Sequence, residues 1–287
     1  MASPARDGLL LVDKPAGMTS HDVVDRARRA LRTKRVGHAG TLDPFATGLL
    51  VLLVGRATRL LPYVDGEPKV YDATIRFGAE MNTDDLTGEV TRTAPAPAPD
   101  AVERALGALT GEIDQLPPAF SAKQVGGRRA YVAARRGEAL DLAPVRVRVH
   151  SWQLRGWEGQ DLQATITCGA GTYIRALARD LGRATGSAAH LVALRRVASG
   201  RFSVADAVTS DAISDAALRP AVDALPAVTR VQLDDAARAR IGRGMTIARD
   251  DATAGEIAAL LDASGELVAI AAHAGDAWQP RVVLVDG

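Results

Sequence analysis

The stretch VRVRVHSWQLRGWEGQDLQATITC, residues 145–168, decides the fold. In its first part Val145, Val147 and Val149 alternate with Arg146, Arg148 and His150. In its last part Leu162, Ala164, Ile166 and Cys168 alternate with Gln163, Thr165 and Thr167. A period of two sends successive side chains to opposite faces of a pleated strand, so each run reads as a half-buried strand and the two as an antiparallel pair. A third such run lies upstream, where Tyr71, Ala73, Ile75 and Phe77 alternate with Asp72, Thr74 and Arg76.

Helical spacing is scattered among these strands. Thr19-x-x-Asp22 is a capping-box-like start for a helix carrying Val23, Val24, Ala27, Ala30 and Leu31, ending near Arg32 in a basic patch of Arg28, Arg29, Arg32, Lys34 and Arg35. Asp100-x-x-Glu103 caps a second helix, with Val102, Leu106 and Leu109 apolar and Gly111 closing it. Gly171-Thr172 opens a third, with Ile174, Leu177, Ala178 and Leu181 on one face and Arg175, Arg179 and Arg183 on another. Residues 49–54 read as a buried strand or a helix start. Strands dominate and helices do not alternate with them regularly, which gives an α+β class with a mainly antiparallel sheet. Residues 210–226 are weakly patterned and read as a link to a small C-terminal unit. That unit has a helical stretch over 252–261 and strands over 267–271 and 281–285.

Composition narrows the function classes. The 287 residues are 47% hydrophobic and 24% charged, ordinary for a globular chain. No apolar run approaches the length of a membrane span, and the opening residues MASPAR lack a signal-peptide pattern, so the expected location is the cytoplasm. A single cysteine, Cys168, excludes an internal disulfide and any multi-cysteine metal site, and its strand position reads as a buried small hydrophobe. Net charge is +1, but residues 1–210 carry 28 basic against 22 acidic side chains and residues 211–287 carry 7 against 12. A polyanionic partner would meet the basic body first.

The most unusual segment is the glycine-punctuated loop GHAGTLDPFATG, residues 37–48. Taken alone, Asp43-Pro44 is a turn pair, because Asp caps a turn and Pro pre-sets the next φ. The loop matches no phosphate-binding or dinucleotide fingerprint, and the chain has no HExxH, no GxSxG and no paired His/Cys set.

Six blocks resemble a known family in their order: LLLVDKPAGMTSHDVV, RVGHAGTLDPFATGLL, VYDATIRFG, PPAFSAKQVGGRRAY, GTYIRALARDLG and AHLVALRRVASGRF. Over residues 8–210 the chain is similar to the bacterial tRNA pseudouridine-55 synthases of the TruB type. The resemblance implies a pseudouridine synthase fold over residues 8–215, with a central, mainly antiparallel sheet flanked by helices and a thumb-like loop near 124–142. It also implies a small PUA-like domain over 226–287. The implied reaction isomerises the uridine at position 55, in the T-ψ-C loop, of a tRNA whose base is flipped out of its stack. By this resemblance Asp43 is the catalytic carboxylate, Tyr71 stacks on the target base and assists late proton removal, and Arg175 pairs with the catalytic Asp. Tyr173 contacts substrate, His38 holds the loop nucleotides open, Leu194 lines the uracil pocket and Lys14, with Pro15, shapes the floor of the substrate site. No metal, cofactor or obligate protein partner is expected beside the T-arm stem-loop.

Without the family, Tyr71 and Leu194 read as core, Arg175 as a solvated helix arginine, and His38 and Tyr173 as turn and helix-end residues. The fourth block departs from the family pattern. Its lysine comes one place early, as Lys123-Gln124. The C-terminal unit carries only a weak motif, Gly242-Arg-Gly244, and its negative charge weighs against strong electrostatic RNA binding. A guide-RNA-dependent synthase, and a non-catalytic RNA-binding or RNA-folding protein on the same fold, are the alternatives.

Overall fold

The computed structural model describes residues 7–121, 123–125, 128–129, 136, 138, 141–249 and 255–285. The chain divides into two compact units, Met1–Pro44 with Leu49–Asp65 and Val204–Gly287, and Phe45–Gly48 with Gly66–Ser203.

In the first unit the buried strand Gly8–Lys14 lies between strand Val208–Thr209, its parallel partner, and the strand that runs through residues 49–54. Residues 49–54 are therefore strand rather than helix. Helix α1, Ser20–Ala30, starts as the sequence predicts. Thr19 Oγ1 accepts from the Asp22 amide at 3.0 Å, and the Asp22 carboxylate accepts from the Thr19 amide at 2.8 Å. Val23, Val24 and Ala27 of α1 pack on Leu10, Val12, Leu50, Leu52 and Val54. Residues 210–226 are not a loose link. Leu9 and Arg219 exchange both main-chain hydrogen bonds, at 3.0 and 2.8 Å, and Ile213, Val222, Ala224 and Leu225 are buried.

The same unit carries a five-stranded sheet in the order Thr229–Gln232, Ile257–Leu261, Leu267–Ala274, Ala277–Val283, Ile247–Ala248, with its own core around Trp278, Val268 and Leu260. Here the helix expected over 252–261 is corrected. Residues 252–254 lie outside the described residues, and 257–261 form a strand paired parallel to Thr229–Gln232 and antiparallel to Leu267–Ala274. Alanines favour a helix, but strand pairing on both edges overrides that weak preference.

In the second unit the strands run Ala189–Ser199, Lys69–Phe77, Asp161–Cys168, Val145–Glu158, Gly111–Gln115, each antiparallel to the next. The first valine-arginine run pairs mainly with Gly111–Gln115, while residues 151–158 of the same strand form the hairpin with Asp161–Cys168. Helix α2, Pro99–Leu106, is capped by Ala98 with Pro99 in its first turn, and Asp100 pairs instead with Arg104. Helix α3, Ile174–Ala184, begins at the Tyr173 cap and packs on Ala189–Ser199. The expected thumb loop over 124–142 lies largely outside the described residues.

Gly48 and Gly182 are among the glycines that permit close approaches in this unit. Gly48 has φ +99°, and a Cβ there would stand 2.3 Å from the Arg196 carbonyl oxygen, so only glycine lets the end of the Asp43 loop lie along that strand. A Cβ on Gly182 would stand 2.5 Å from the Ala189 amide nitrogen, which sets how tightly α3 seats on the sheet. Helix propensity alone favours Gly182→Ala by about 1 kcal/mol. The close approach reverses that sign, and Gly182→Ala is expected to destabilise by about 1–3 kcal/mol in urea unfolding.

Candidate active site

In the first unit, Asp43 sits half-buried between buried Leu42 and exposed Pro44. The main chain on both of its sides is held. Ser20 Oγ, at the start of α1, accepts from the Leu42 amide at 2.8 Å and donates to the Leu42 carbonyl at 3.1 Å. The Pro44 carbonyl accepts from the Gly17 amide at 2.8 Å and from Lys14 Nζ at 3.3 Å. Lys14 is fully buried, and its ammonium also donates to the carbonyls of Met18 at 2.7 Å and Pro15 at 2.9 Å. Lys14 thus holds the turn beside Asp43 through main-chain carbonyls. His38 ends the strand Val36–His38, paired with Leu52, and is half-buried.

In the second unit, Tyr71 is 7% exposed on Lys69–Phe77, with Ile166 and Arg196 as its cross-strand partners. Leu194 stands opposite Ala73, so Tyr71, Ala73, Leu194 and Arg196 share one sheet face. Lys69 belongs to that face, and burial, reinforced by the Arg196 charge, lowers its pKa. An open pocket of about 620 Å³ lies against this sheet, lined by Asp72, Thr74, Arg155, Thr165, Leu194 and Arg195 among others. Asp72 there accepts from Thr165 Oγ1 at 2.7 Å, which in turn accepts from Arg155 Nε at 3.0 Å.

Tyr173 caps α3, and its main chain is gripped by buried Gln115. The Tyr173 amide donates to Gln115 Oε1 at 2.8 Å, and Gln115 Nε2 donates to the Tyr173 carbonyl at 3.1 Å. Arg175, in the first turn of the helix, is 5% exposed rather than solvated. Its Nη1 donates to the Thr83 carbonyl at 2.8 Å and lies 3.4 Å from Asp85 Oδ2, while Nη2 donates to the Phe120 carbonyl at 3.0 Å. Asp85 is itself buried and accepts from Thr83 Oγ1 at 2.8 Å and the Thr87 amide at 3.0 Å.

The other two arginines of that row have matching partners. Arg179 bonds Asp84 at 2.8 Å and the Leu116 carbonyl at 2.8 Å, and Arg183 bonds Glu80 at 3.0 Å. Asp84 occupies the left-handed region at φ +58°. Burial pushes its carboxyl up to about 6, although Arg179 and Arg175 pull the other way. Cys168 is buried, and burial pushes its thiol up to about 11, so it is not a nucleophile near neutral pH.

Sequence reasoning missed Ser20, Gln115 and Asp85. Ser20 carried one usable clue, its place just after a helix cap that already satisfies itself. Among the described residues, no group of three or more His, Cys, Asp or Glu side chains is placed to hold a metal ion, and no helix is long and apolar enough to cross a membrane.

Comparison with known proteins places this geometry. Residues 28–174 match the model of the TruB family pseudouridylate synthase N-terminal domain, and residues 175–234 that of the tRNA pseudouridylate synthase B C-terminal domain. The tRNA pseudouridine synthase B of Paenarthrobacter aurescens (strain TC1) is 44% identical over 297 residues, covering 98% of this chain and 96% of its own. That of Thermobifida fusca (strain YX) is 44% identical over 291 residues, covering 96% and 98%. A chain of the solved Cbf5-Nop10-Gar1 complex superposes with a TM-score of 0.70 at 25% identity, covering 97% of this chain and 85% of its own. The protein is therefore a pseudouridine synthase by fold and class. Within that class it belongs to the TruB family.

The raised Asp84 carboxyl has a signed consequence. Its folded value of about 6 lies above the ordinary 3.8, so its stabilising proton uptake is complete below pH 3.8 and lost as pH rises through 6. Asp84→Asn removes that titration. The melting temperature of the wild type minus that of Asp84→Asn is expected to fall by roughly 5 °C between pH 4 and pH 7.

Proposed function

We propose that the protein converts uridine 55 in the T-ψ-C loop of tRNA to pseudouridine, acting on a flipped-out base. The observation that carries this reading is membership of the TruB family, with relatives that are tRNA pseudouridine synthases B and match this chain over nearly their whole length. The alternating face that buries Tyr71 beside Leu194 supports it. An aromatic ring and an apolar side chain on one sheet face suit a planar base that has left its stack.

The reaction breaks the bond from N1 of uracil to C1′ of ribose and forms one from C5 to C1′. The proton that leaves C5 is matched by one gained at N1, so no redox equivalent is consumed. Asp43 supplies the carboxylate, as nucleophile or base. Tyr71 holds the detached ring by stacking and assists the proton removal at C5, and Leu194 lines the uracil pocket. Arg175, buried and held by its own partners, supplies the fixed positive charge assigned to the reaction. Tyr173 contacts the substrate and His38 keeps the loop nucleotides apart. Lys14 acts through the carbonyls it binds, by holding the turn that presents Asp43.

The tRNA backbone needs cations. Arg26 pairs with Asp211 and Arg28 with Asp25, but Arg29, Arg32, Lys34 and Arg35 are exposed at the end of α1 and have no carboxylate partner among the described residues. These four are proposed to meet phosphates.

Three outcomes test the reading. Purified protein with unmodified tRNA transcript, and no other macromolecule, is expected to yield pseudouridine at position 55. Asp43→Asn is expected to lower the rate by roughly 10³-fold while leaving tRNA affinity within about threefold. Full activity in that variant would refute the assignment. Replacing Arg29, Arg32, Lys34 and Arg35 by serine is expected to weaken tRNA binding and flatten the plot of log affinity against log salt by about 3 units. An unchanged slope would remove the patch from the interface.

A further inference from the structure

The box that starts α1 uses Thr19 and Asp22 to satisfy each other, which leaves the next hydroxyl, Ser20 Oγ, free for a distant partner. That partner is Leu42, 22 residues along the chain. One hydroxyl takes both main-chain groups of one residue, accepting from its amide at 2.8 Å and donating to its carbonyl at 3.1 Å. A serine hydroxyl has one proton to give and two lone pairs, so this arrangement uses its donor fully. Ser20 is 3% exposed and Leu42 is 3% exposed, so water does not compete for either bond.

The geometry matters because of what the Leu42 carbonyl belongs to. It is half of the peptide plane whose other half is the Asp43 amide, and a peptide unit is rigid. Fixing that carbonyl fixes the plane from which the Asp43 Cα projects. On the far side the Pro44 carbonyl is bonded by the Gly17 amide and Lys14 Nζ. Asp43 therefore stands between two anchored carbonyls, and its carboxylate is aimed by main chain held to the first turn of α1 and to the turn before it.

We infer that Ser20 is a positioning residue for the reaction, which fixes the peptide plane preceding Asp43 so that the carboxylate meets the flipped uridine in a productive orientation. The inference rests on the reading of Asp43 as catalytic. Ser20 acts through Leu42, so its loss should slow chemistry and leave tRNA binding intact. Misplacement of a reacting group by about 1 Å can cost about 10²-fold in rate.

The test compares wild type, Ser20→Ala, Ser20→Thr and Ser20→Cys. Three quantities are read: single-turnover rate on unmodified tRNA transcript, tRNA dissociation constant by filter binding, and amide hydrogen exchange at Leu42. Ser20→Ala is expected to react about 10- to 100-fold more slowly, with affinity within about twofold and Leu42 exchange much faster, while the amides of α1 keep their protection. Ser20→Thr keeps the hydroxyl and is expected to recover the rate to within about threefold of wild type. If Ser20→Ala does not fold, Ser20→Cys, with its weaker donor, takes its place and should show the same split in smaller degree. A rate within twofold of wild type in the folded variant overturns the inference. So does unchanged exchange at Leu42, or a loss of rate and affinity together that only follows the melting temperature. Should the wild type itself make no pseudouridine, the proposed function fails, and exchange at Leu42 still decides whether the clamp exists.

Discussion

Two guanidinium groups almost wholly removed from water impose the strongest constraint on the second unit. Arg175 and Arg179 are each 5% exposed. An isolated charge in that setting would cost several kcal/mol, so the surrounding chain must supply carboxylates and carbonyls in the right places. It does so from two separate segments. Asp84, Asp85 and the Thr83 carbonyl come from one, and the Leu116 and Phe120 carbonyls from the other. The four-residue spacing of Arg175, Arg179 and Arg183 along α3 matches Asp85, Asp84 and Glu80 in turn. Position and orientation of Arg175 are thereby set before any substrate arrives. An arginine so engaged does not swing, which suits a group whose proposed role is electrostatic.

Neutral side chains do the complementary work on the main chain. Gln115 holds both the amide and the carbonyl of Tyr173, at the start of the helix that carries Arg175. Ser20 holds both the amide and the carbonyl of Leu42, one residue before Asp43. Each pair satisfies polar groups that would otherwise be costly to bury and fixes a main-chain direction at the same time. Pre-organisation of this kind lets a short loop present a reactive group with the precision of a regular element.

Much of the fold was legible from local pattern. The period of two marked Tyr71, Ala73 and Ile75 as one strand face, and all three are buried. Thr19 and Asp22 marked the start of α1, and both halves of that box are formed. The failures have a common origin. The sequence predicts a helix over 252–261, a span rich in helix-favouring alanine, yet strands on both edges claim residues 257–261. Residues 210–226 were read as a link because they lack a period, yet their scattered apolar side chains are buried. Arg175 was placed with solvated arginines by its residue type, and only the family blocks argued otherwise.

The sequence by itself determined which residues face together within each element, where α1 begins, and, through six ordered blocks, the family and the identity of Asp43, Tyr71 and Arg175 as the residues to examine. The first two are properties of short spacing, since a period of 2 or 3.6 is written in neighbouring letters, whereas the family rests on the order of blocks along residues 8–210. Only the tertiary structure decided that Arg175 is buried against Asp85, that Gln115 grips Tyr173 and that Ser20 grips Leu42. Their bonds join residues 22, 58 and 92 positions apart, from Ser20 to Leu42, Gln115 to Tyr173 and Arg175 to Thr83. No local spacing encodes such a partner. The choice follows from burial, because a polar group taken out of water must bond whatever the packed chain brings within hydrogen-bonding distance.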